Sequence, residues 1–217
     1  MASSFTYTTL KAALVSFTED SGAEFASAVD TIIPLGEDQV LRDLDLELFD
    51  VTATTAFSAA TATLTKPTGF LALRTLHYTD ANSQEQLLLP KSWEFVKDYW
   101  PTSSTTTASP KYFADYSDTA WYIAGTPSGT NVVTVRYIKR PTGLSATTAT
   151  TWLGTTVGDL LFYACLSVSE QYLKADGRVA LWRQEYTDRL TGARRELKLE
   201  KRMDYMPMTA IPQKERN

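Results

Sequence analysis

The residues that most often carry catalysis or bind metals are scarce in this chain. It has one cysteine, Cys165, and one histidine, His77, and neither an H-E-x-x-H nor a C-x-x-C spacing occurs. Cys165 lies inside an apolar run, which predicts an inert buried thiol rather than a nucleophile. His77 stands beside Tyr78 in a predicted strand, where a bystander role fits best. We therefore expect no catalytic residue, no metal site and no cofactor.

Carboxylates are the remaining candidates for chemistry. Glycoside hydrolysis uses a pair of them, and the N-terminal helices carry Glu24, Glu37, Asp38 and Glu47. Acids on an amphipathic helix usually belong to its solvated face, so a peptidoglycan hydrolase with helix-borne carboxylates is only an alternative. A carbohydrate-binding β module is another, since aromatic residues stack on sugars. Its candidates, Trp121 and Tyr122 in a predicted strand, more often form a core.

Length and composition are those of a globular protein. The 217 residues are 43% apolar and 21% charged, which allows one large domain or two small ones. A net charge of −4 does not favour a nucleic-acid-binding surface. The first residues, MASSFTYTT, resemble no secretory signal. We expect a cytosolic product or a virion component assembled in the host cytoplasm, without membrane association.

Charge is distributed unevenly along the chain. Residues 1–50 contain ten acids and two bases, a net charge of −8, whereas residues 176–217 contain seven acids and ten bases, a net charge of +3. The two ends are therefore complementary. Either packing within one chain or head-to-tail packing between copies would bring these opposite charges together.

One predicted helix lies at the centre of the fold. Residues 155–174, TTVGDLLFYACLSVSEQYLK, are apolar on almost every side, so this helix must be buried on almost every side. Thr156 and Asp159 are placed to cap its start. The unbroken apolar run is shorter than the ~20 residues that cross a bilayer. Other parts of the chain, or neighbouring copies, must supply its cover.

Helical periodicity predicts the covering helices. Residues 7–18 and 24–48 place apolar side chains three and four positions apart. A capping box is expected from Ser21 to Glu24, and Pro34 should kink or restart the second helix. The last helix, about 178–200, has an apolar stripe at Val179, Trp182, Tyr186, Leu190, Ala193 and Leu197.

The central region has β character. Residues 51–65 are rich in Thr, Ala and Val, which predicts an exposed strand or hairpin, and residues 90–100 form either a short helix or an aromatic turn. In the strand at 70–78, Leu73 and Leu76 are expected on opposite faces. Short strands separated by turns favour an antiparallel sandwich or barrel. The other predicted strands are 85–89, 111–116, 119–125 and 131–139.

The order of these elements predicts an α+β fold, because neither terminal group of helices can bury its apolar stripe alone. Residues 1–50 and 150–202 would form a helical bundle. Residues 51–149 would form the inserted antiparallel β sandwich or barrel. Residues 203–217 would form an extended C-terminal arm.

Several motifs occur in a specific order. Phe25–Leu48 contains an acidic residue followed by Arg-Asp-Leu, and Pro110–Ala114 reads P-K-Y-F-A. Val133–Leu144 ends in Y-x-x-x-P-x-x-L, and residues 152–190, which include Tyr172-Leu173-Lys174 and Trp182, are predicted to form a helical pair. This set resembles the head-to-tail adaptor proteins of short-tailed phages, the tail tubular protein A or gatekeeper family. The Thr/Ala-rich residues 51–65 have no counterpart in its pattern.

The resemblance implies a structural virion protein without catalysis. Such proteins form a ring, usually of twelve copies, that joins the portal ring to the tail nozzle. They help to retain the genome, and genomic DNA passes through the channel without sequence-specific binding. The resemblance also implies that the helical part lies beside neighbouring subunits and the portal, and that the β module faces the tail.

The same resemblance implies two sets of contact residues. The C-terminal arm would extend onto the portal and become ordered there, with Met203, Tyr205, Met206, Met208, Ile211 and Pro212 as portal contacts. Neighbouring subunits would bury whatever the chain leaves bare on its central and last helices. The expected subunit contacts are Phe162, Tyr163, Trp182 and Tyr186.

Overall fold

The computed structural model describes residues 4–19, 22–58, 61–101, 107–169 and 177–204, with the backbone alone at 46–47 and 199–204. The chain divides into two compact units. The helical unit comprises Met1–Leu48 and Thr142–Asn217, and the β unit comprises Phe49–Pro141. The predicted α+β class is confirmed. Among the described helices, none combines the length and hydropathy needed to span a membrane.

All described helices except α3 belong to the helical unit. The last helix runs two residues into the range that the sequence assigned to the arm. The helices are α1 (Tyr7–Thr18), α2 (Ala23–Asp43), α3 (Trp93–Tyr99), α4 (Trp152–Thr156), α5 (Gly158–Val168) and α6 (Val179–Asp204), with a 3-10 turn at Leu46–Phe49.

Helix α5 is the buried centre of the helical unit. Leu160, Leu161, Cys165 and Leu166 are fully enclosed, and α5 packs mainly against α2 and α6. The covering stripes follow helical spacing, so each helix buries one face and leaves the other in solvent. The chain therefore supplies most of the cover that its apolar helix requires.

Gly36 sets the distance between α2 and α5. A Cβ atom at this position would lie 2.6 Å from Sγ and 3.0 Å from the backbone nitrogen of Cys165. Since interiors pack at the density of organic crystals, the neighbouring helix has no space to yield. The absence of a side chain at Gly36 thus permits the close approach of the two helices.

We expect Gly36→Ala to destabilise the helical unit by about 1–3 kcal/mol, because overpacking outweighs the ~1 kcal/mol gain in helix propensity. Urea unfolding followed by circular dichroism at 222 nm measures this change. Gly192→Ala on α6 is the matched control, since a Cβ there meets nothing within 4 Å. The free energy of unfolding of this control should rise by about 0.5–1 kcal/mol. A Gly36→Ala chain as stable as the parent would show that α2 and α5 pack less closely.

Two predicted helix starts are wrong. Gly22 is the N-cap of α2 and makes no side-chain bond, whereas a capping box occurs at Thr6 and Thr9 of α1. Thr151, not Thr156, caps the segment before α5 by accepting a hydrogen bond from the Gly154 nitrogen at 3.3 Å. These residues form the separate short helix α4, and residues 170–174 of the predicted central helix lie outside the described part of the chain.

Helix α2 differs from prediction at its middle and its end. It passes through Pro34 without restarting, because buried residues on both sides, Ile33 and Val40, belong to one core cluster. Burial of this stripe offsets the one backbone bond that proline removes. The helix ends at Asp43 rather than 48, and Leu44 is its extended C-cap.

The β unit contains two four-stranded sheets that share a core. Their strand orders are β1-β8-β3-β4 and β2-β7-β6-β5, and every pair is antiparallel except β5 with β6. Side chains from both sheets meet in one buried cluster, including Leu76 and Val135 from the first and Leu64 and Trp121 from the second. The strands are β1 (Asp50–Ala56), β2 (Thr63–Thr65), β3 (Phe70–Thr79), β4 (Glu85–Leu87), β5 (Leu89–Pro90), β6 (Tyr112–Ser117), β7 (Ala120–Ala124) and β8 (Val132–Lys139).

The Thr/Ala-rich residues 51–65 do not form a hairpin. Strand β1 pairs with β8 in one sheet, and β2 pairs with β7 in the other. Likewise, 85–89 is not one strand but divides between β4 and β5, which also lie in different sheets. Both stretches cross from one sheet to the other, which local composition does not reveal.

Strand β3 departs from simple alternation. Its pairing with β8 is irregular between Phe70 and Ala72 and again between Leu73 and Thr75. A bulge shifts the phase of the side chains, so Leu73 and Leu76 both pack against the same core cluster. The prediction that they lie on opposite faces is wrong for this reason.

Candidate protein-binding surfaces

The fold encloses several of the residues that the sequence offers for catalysis or sugar binding. Cys165 is fully buried, and burial raises the pKa of its thiol. Within the described residues, no three His, Cys, Asp or Glu side chains group closely enough to hold a metal ion. Trp121 and Tyr122 are 2% and 5% exposed, so neither can stack on a sugar.

Among the candidate carboxylates with described side chains, Glu37 alone is enclosed by the fold. It is 4% exposed, and the backbone N–H of Leu144 donates to its Oε1 at 2.9 Å and its Oε2 at 3.1 Å. Burial raises its pKa to about 7, the Leu144 bond partly opposes this, and the charge of Asp38 adds to it. A Cβ on Gly143 would lie 2.7 Å from Oε2. A substrate has no access to this carboxyl.

The enclosed carboxyl has a structural role instead. Leu144 follows the β unit in sequence, and its bond to Glu37 ties the returning chain to α2. The other candidate acids with described side chains are less enclosed than Glu37. Glu24 is exposed, Asp38 is half-buried on the same helix, and the Glu47 side chain lies outside the described atoms.

An aromatic surface lies on the helical unit, and we name it the helical patch: Phe5, Phe17, Phe162, Tyr163 and Arg189. The Phe162 ring contacts Phe5, Phe17 and Tyr163, with centroids 5.6, 5.4 and 5.5 Å apart. Arg189 lies 4.1 Å over the Tyr163 ring. Phe17 is 45% exposed, and Phe162 and Tyr163 are half-buried. The patch therefore leaves aromatic area exposed to solvent.

Trp182 and Tyr186 have a different environment. They are 2% and 5% exposed, and the chain itself supplies their cover. The Tyr186 hydroxyl donates to Oδ2 of Asp43 at 2.5 Å, and burial with this bond raises its pKa. Both residues stabilise the folded subunit in this position.

The β unit carries a second aromatic surface, which we name the aromatic platform: Trp93, Phe95, Tyr99, Tyr112 and Tyr116. Phe95 and Tyr99 stack with centroids 5.9 Å apart, and Tyr112 meets them edge-on at 5.4 and 5.1 Å. Trp93 stacks on Tyr116 at 5.3 Å. The exposed fractions of Phe95, Tyr99 and Tyr116 are 41%, 46% and 55%, so several rings are open on one side.

Two lysines lie over these rings. Nζ of Lys91 is 5.3 Å from the Phe95 centroid and 5.9 Å from that of Tyr112. Nζ of Lys97 is 4.9 Å from the Trp93 centroid. These distances permit cation–π attraction. The platform thus combines aromatic area with positive charge, and aromatic side chains are enriched where proteins bind one another.

Sequence reasoning missed the platform. Helix α3 begins at Trp93 with Ser92 as its cap, whose oxygen accepts from the Phe95 nitrogen at 3.3 Å. Val96 is fully buried, whereas Phe95 and Tyr99, four residues apart, share the open side. The available signal was a short helix with large aromatics on more than one face.

The predicted portal contacts fall at the limit of the described chain. Met203 lies in α6, and its side chain is outside the described atoms. Tyr205, Met206, Met208, Ile211 and Pro212 are outside the described residues altogether.

Comparison with known proteins identifies the family. The SU10 adaptor protein family matches residues 5–210, nearly the whole chain and both of its units. No curated protein matches the sequence. Adaptors of this kind are structural proteins of the phage particle. The chain therefore belongs to the SU10 adaptor protein family and is a structural phage adaptor.

Proposed function

We propose that the protein forms the head-to-tail adaptor ring of a short-tailed phage, a member of the tail tubular protein A or gatekeeper type. The ring would hold twelve copies, join the portal ring to the tail nozzle, help retain DNA and pass it during ejection. The observation that carries the proposal is the adaptor family match across residues 5–210. The two exposed aromatic surfaces support it, because a ring component needs contacts to more than one partner.

Each surface receives one role in this proposal. The helical patch, through Phe162 and Tyr163, would meet the neighbouring subunit, and the buried Trp182 and Tyr186 would support it from within. The aromatic platform would meet the tail nozzle. The residues from Met203 to Pro212 would meet the portal.

We use net charge to propose which residues line the DNA channel. DNA moves freely only where phosphates find few cations, because each neutralised phosphate adds salt-sensitive affinity. Residues 1–50 carry a net charge of −8 and are our candidates for an acidic lining. Contact with DNA there would be independent of base sequence.

Assembly with the portal tests the proposal. Purified protein mixed with portal rings should give two-tiered rings in negative-stain images. Subunits that remain monomeric beside intact portal rings would contradict the proposed function.

Removal of the residues after Asp204 should weaken portal docking and leave the fold intact. The described core of the helical unit lies before that point, so the unfolding temperature should change by less than about 2 °C. Portal binding, measured by co-sedimentation, should fall about tenfold or more, because a segment that orders on binding contributes buried area. A truncated chain that unfolds would show that the segment belongs to the core.

The aromatic platform also favours one other function. Exposed stacked rings can bind carbohydrate, so a carbohydrate-binding β module for host recognition is the second candidate. A glycan array probed with the purified chain tests it. Binding that is lost in Phe95→Ala would support this function over an adaptor contact at the same surface.

A further inference from the structure

One edge of the first sheet of the β unit, the sheet with strand order β1-β8-β3-β4, is long and unprotected. Its edge strand β1 has seven residues, whereas the other edge strands of the described sheets, β2, β4 and β5, have three, three and two. Proteins commonly prevent edge pairing with short strands, lysine or proline. Strand β1 contains neither lysine nor proline, and its charged residue, Asp50, is bound to Arg136 at 2.7 Å. Its sequence therefore does not oppose pairing with another strand.

The backbone groups of β1 point alternately toward β8 and away from it. The Phe57 N–H donates to the Asn131 carbonyl at 2.9 Å, and hydrogen-bonded pairs recur at every second residue of an antiparallel ladder. The odd-numbered residues of β1 therefore bond β8, and the even-numbered ones direct their N–H and C=O groups outward. Thr52, Thr54 and Ala56 are exposed, and no bond joins their outward groups to another described segment.

The opposite edge of the same sheet offers a matching strand. The Leu88 N–H donates to the Leu76 carbonyl at 2.9 Å, so the same alternation directs the backbone groups of Glu85 and Leu87 away from β3. The four strands are mutually antiparallel, and an even number of them leaves the two edges running in opposite directions. A second copy placed beside the first in the same orientation therefore brings its β1 antiparallel to this β4.

The side chains agree with such a continuation of the sheet. The strand registers place Thr54, Thr134, His77 and Leu87 in one row across the sheet. This row lies on the face away from the core, because the alternate residues, such as Leu76, belong to the buried cluster. Leu87 is 52% exposed, and the row contains no acid, lysine or arginine. Extension of the row by Thr54 of a second copy would therefore bring no like charges together.

We propose that β4 of one copy pairs with β1 of a second copy, with Leu87 opposite Thr54 and Glu85 opposite Ala56. The contact joins two different edges, and contacts between unlike surfaces can close into a ring, whereas β1 against β1 would give a two-fold dimer. The choice of β4 as the occupant thus rests on the proposed function, which requires a ring. The pairing gives the Thr/Ala-rich residues of β1 a role in assembly.

Mixing two cysteine variants tests the pairing. Thr54→Cys chains and Leu87→Cys chains are combined, with and without portal rings, and mildly oxidised. Directly opposite residues of a hydrogen-bonded pair have Cα atoms about 5.5 Å apart, within disulfide range. The mixture should give a linked dimer on a non-reducing gel, about tenfold more than either variant alone. Native Cys165 does not contribute, because it is fully buried and buried apolar thiols are inert.

Two further variants test the direction and the location of the contact. A chain with both Thr54→Cys and Leu87→Cys should give a series of linked dimers, trimers and larger multiples, because each copy carries both edges. A series that ends at the dimer would overturn the proposal in favour of two-fold pairing. Leu71→Cys is the matched control for Leu87→Cys, since Leu71 is 44% exposed but lies on the inner strand β3. An equal yield with this control would also overturn the proposal.

Proline at position 56 tests the backbone bonds. Ala56→Pro removes an outward N–H and leaves the bonds to β8, and proline is tolerated on an edge strand where its N–H would face solvent. In the Thr54→Cys chain it should lower the yield of the mixed dimer about tenfold. Ala56→Val keeps the N–H and should change the yield less than twofold. Circular dichroism checks that both variants fold, and equal yields from the two folded variants would contradict a backbone ladder.

The outcomes separate this inference from the proposed function. Two-tiered rings in negative-stain images, without a mixed dimer in either condition, would overturn the edge pairing and leave the adaptor function standing. A mixed dimer that forms without portal rings, in chains that do not dock on the portal, would support the edge pairing and contradict the adaptor function.

Discussion

Replacing Phe95 and Tyr99 together by alanine should weaken binding to the purified tail nozzle by about 2 kcal/mol or more, roughly 30-fold in Kd. Both rings are partly open to solvent, and Tyr112 supports them from below at 5.4 and 5.1 Å. A partner that covers them removes aromatic area from water, and tyrosine contacts of this kind often dominate an interface. Titration by biolayer interferometry measures the change.

The control must remove exposed apolar area elsewhere on the β unit. Leu71→Ala suits this purpose, because Leu71 is 44% exposed on β3 and is not part of the platform. It should alter the Kd less than about twofold, within the range of peripheral substitutions. If Leu71→Ala weakens nozzle binding as strongly as the double variant, the platform is not the contact.

Stability of the helical unit should fall as pH rises from 5 to 8, by about 2–3 kcal/mol. The pKa of Glu37 is raised from 4.5 to about 7, chiefly by burial. A raised folded-state pKa means that the protonated form is favoured on folding. The stabilisation that Glu37 gives to the folded state is therefore complete below its unfolded-state pKa of 4.5. It is lost as the pH rises through the folded-state pKa of about 7. Urea unfolding at 222 nm across this range measures it.

Substitution at the same position isolates the cause. Glu37→Gln keeps an acceptor for the Leu144 N–H and cannot ionise, so its stability should vary little over the same range and exceed that of the parent at pH 8. Glu37→Ala leaves the N–H unpaired, and its free energy of unfolding should lie about 1–3 kcal/mol below that of Glu37→Gln across this pH range. An unchanged pH dependence in Glu37→Gln would assign the effect to another group.

The helices were predictable because their signal is local. A stripe such as Val179, Trp182 and Tyr186 recurs with the helical period, and burial of one face follows from it. Strand partners were less predictable, because pairing joins distant residues. The composition of residues 51–65 indicated β structure, and nothing local showed that β1 and β2 belong to different sheets.

The candidate surfaces show a second limit. Glu37 was interpreted as part of a solvated face, although it lies four residues after Ile33 and three before Val40, in phase with the buried stripe. Periodicity alone could have placed it in the core. The aromatic platform was harder, because α3 has aromatic residues on more than one face. Periodicity predicts which residues share a face of a helix. It does not predict which face remains exposed to solvent.

The interrupted sequence of the helical unit has a consequence for folding during synthesis. Residues 49–141 are contiguous, so the β unit can complete its core as soon as it has left the ribosome. The bond from Leu144 to Glu37 joins residues 107 positions apart. At translation rates of about 5–20 residues per second, α1 and α2 wait at least several seconds for α5. Over that interval their apolar stripes, including Ile32 and Ile33, lack their main partner. The helical unit is therefore the part of the nascent chain most exposed to aggregation and to chaperones.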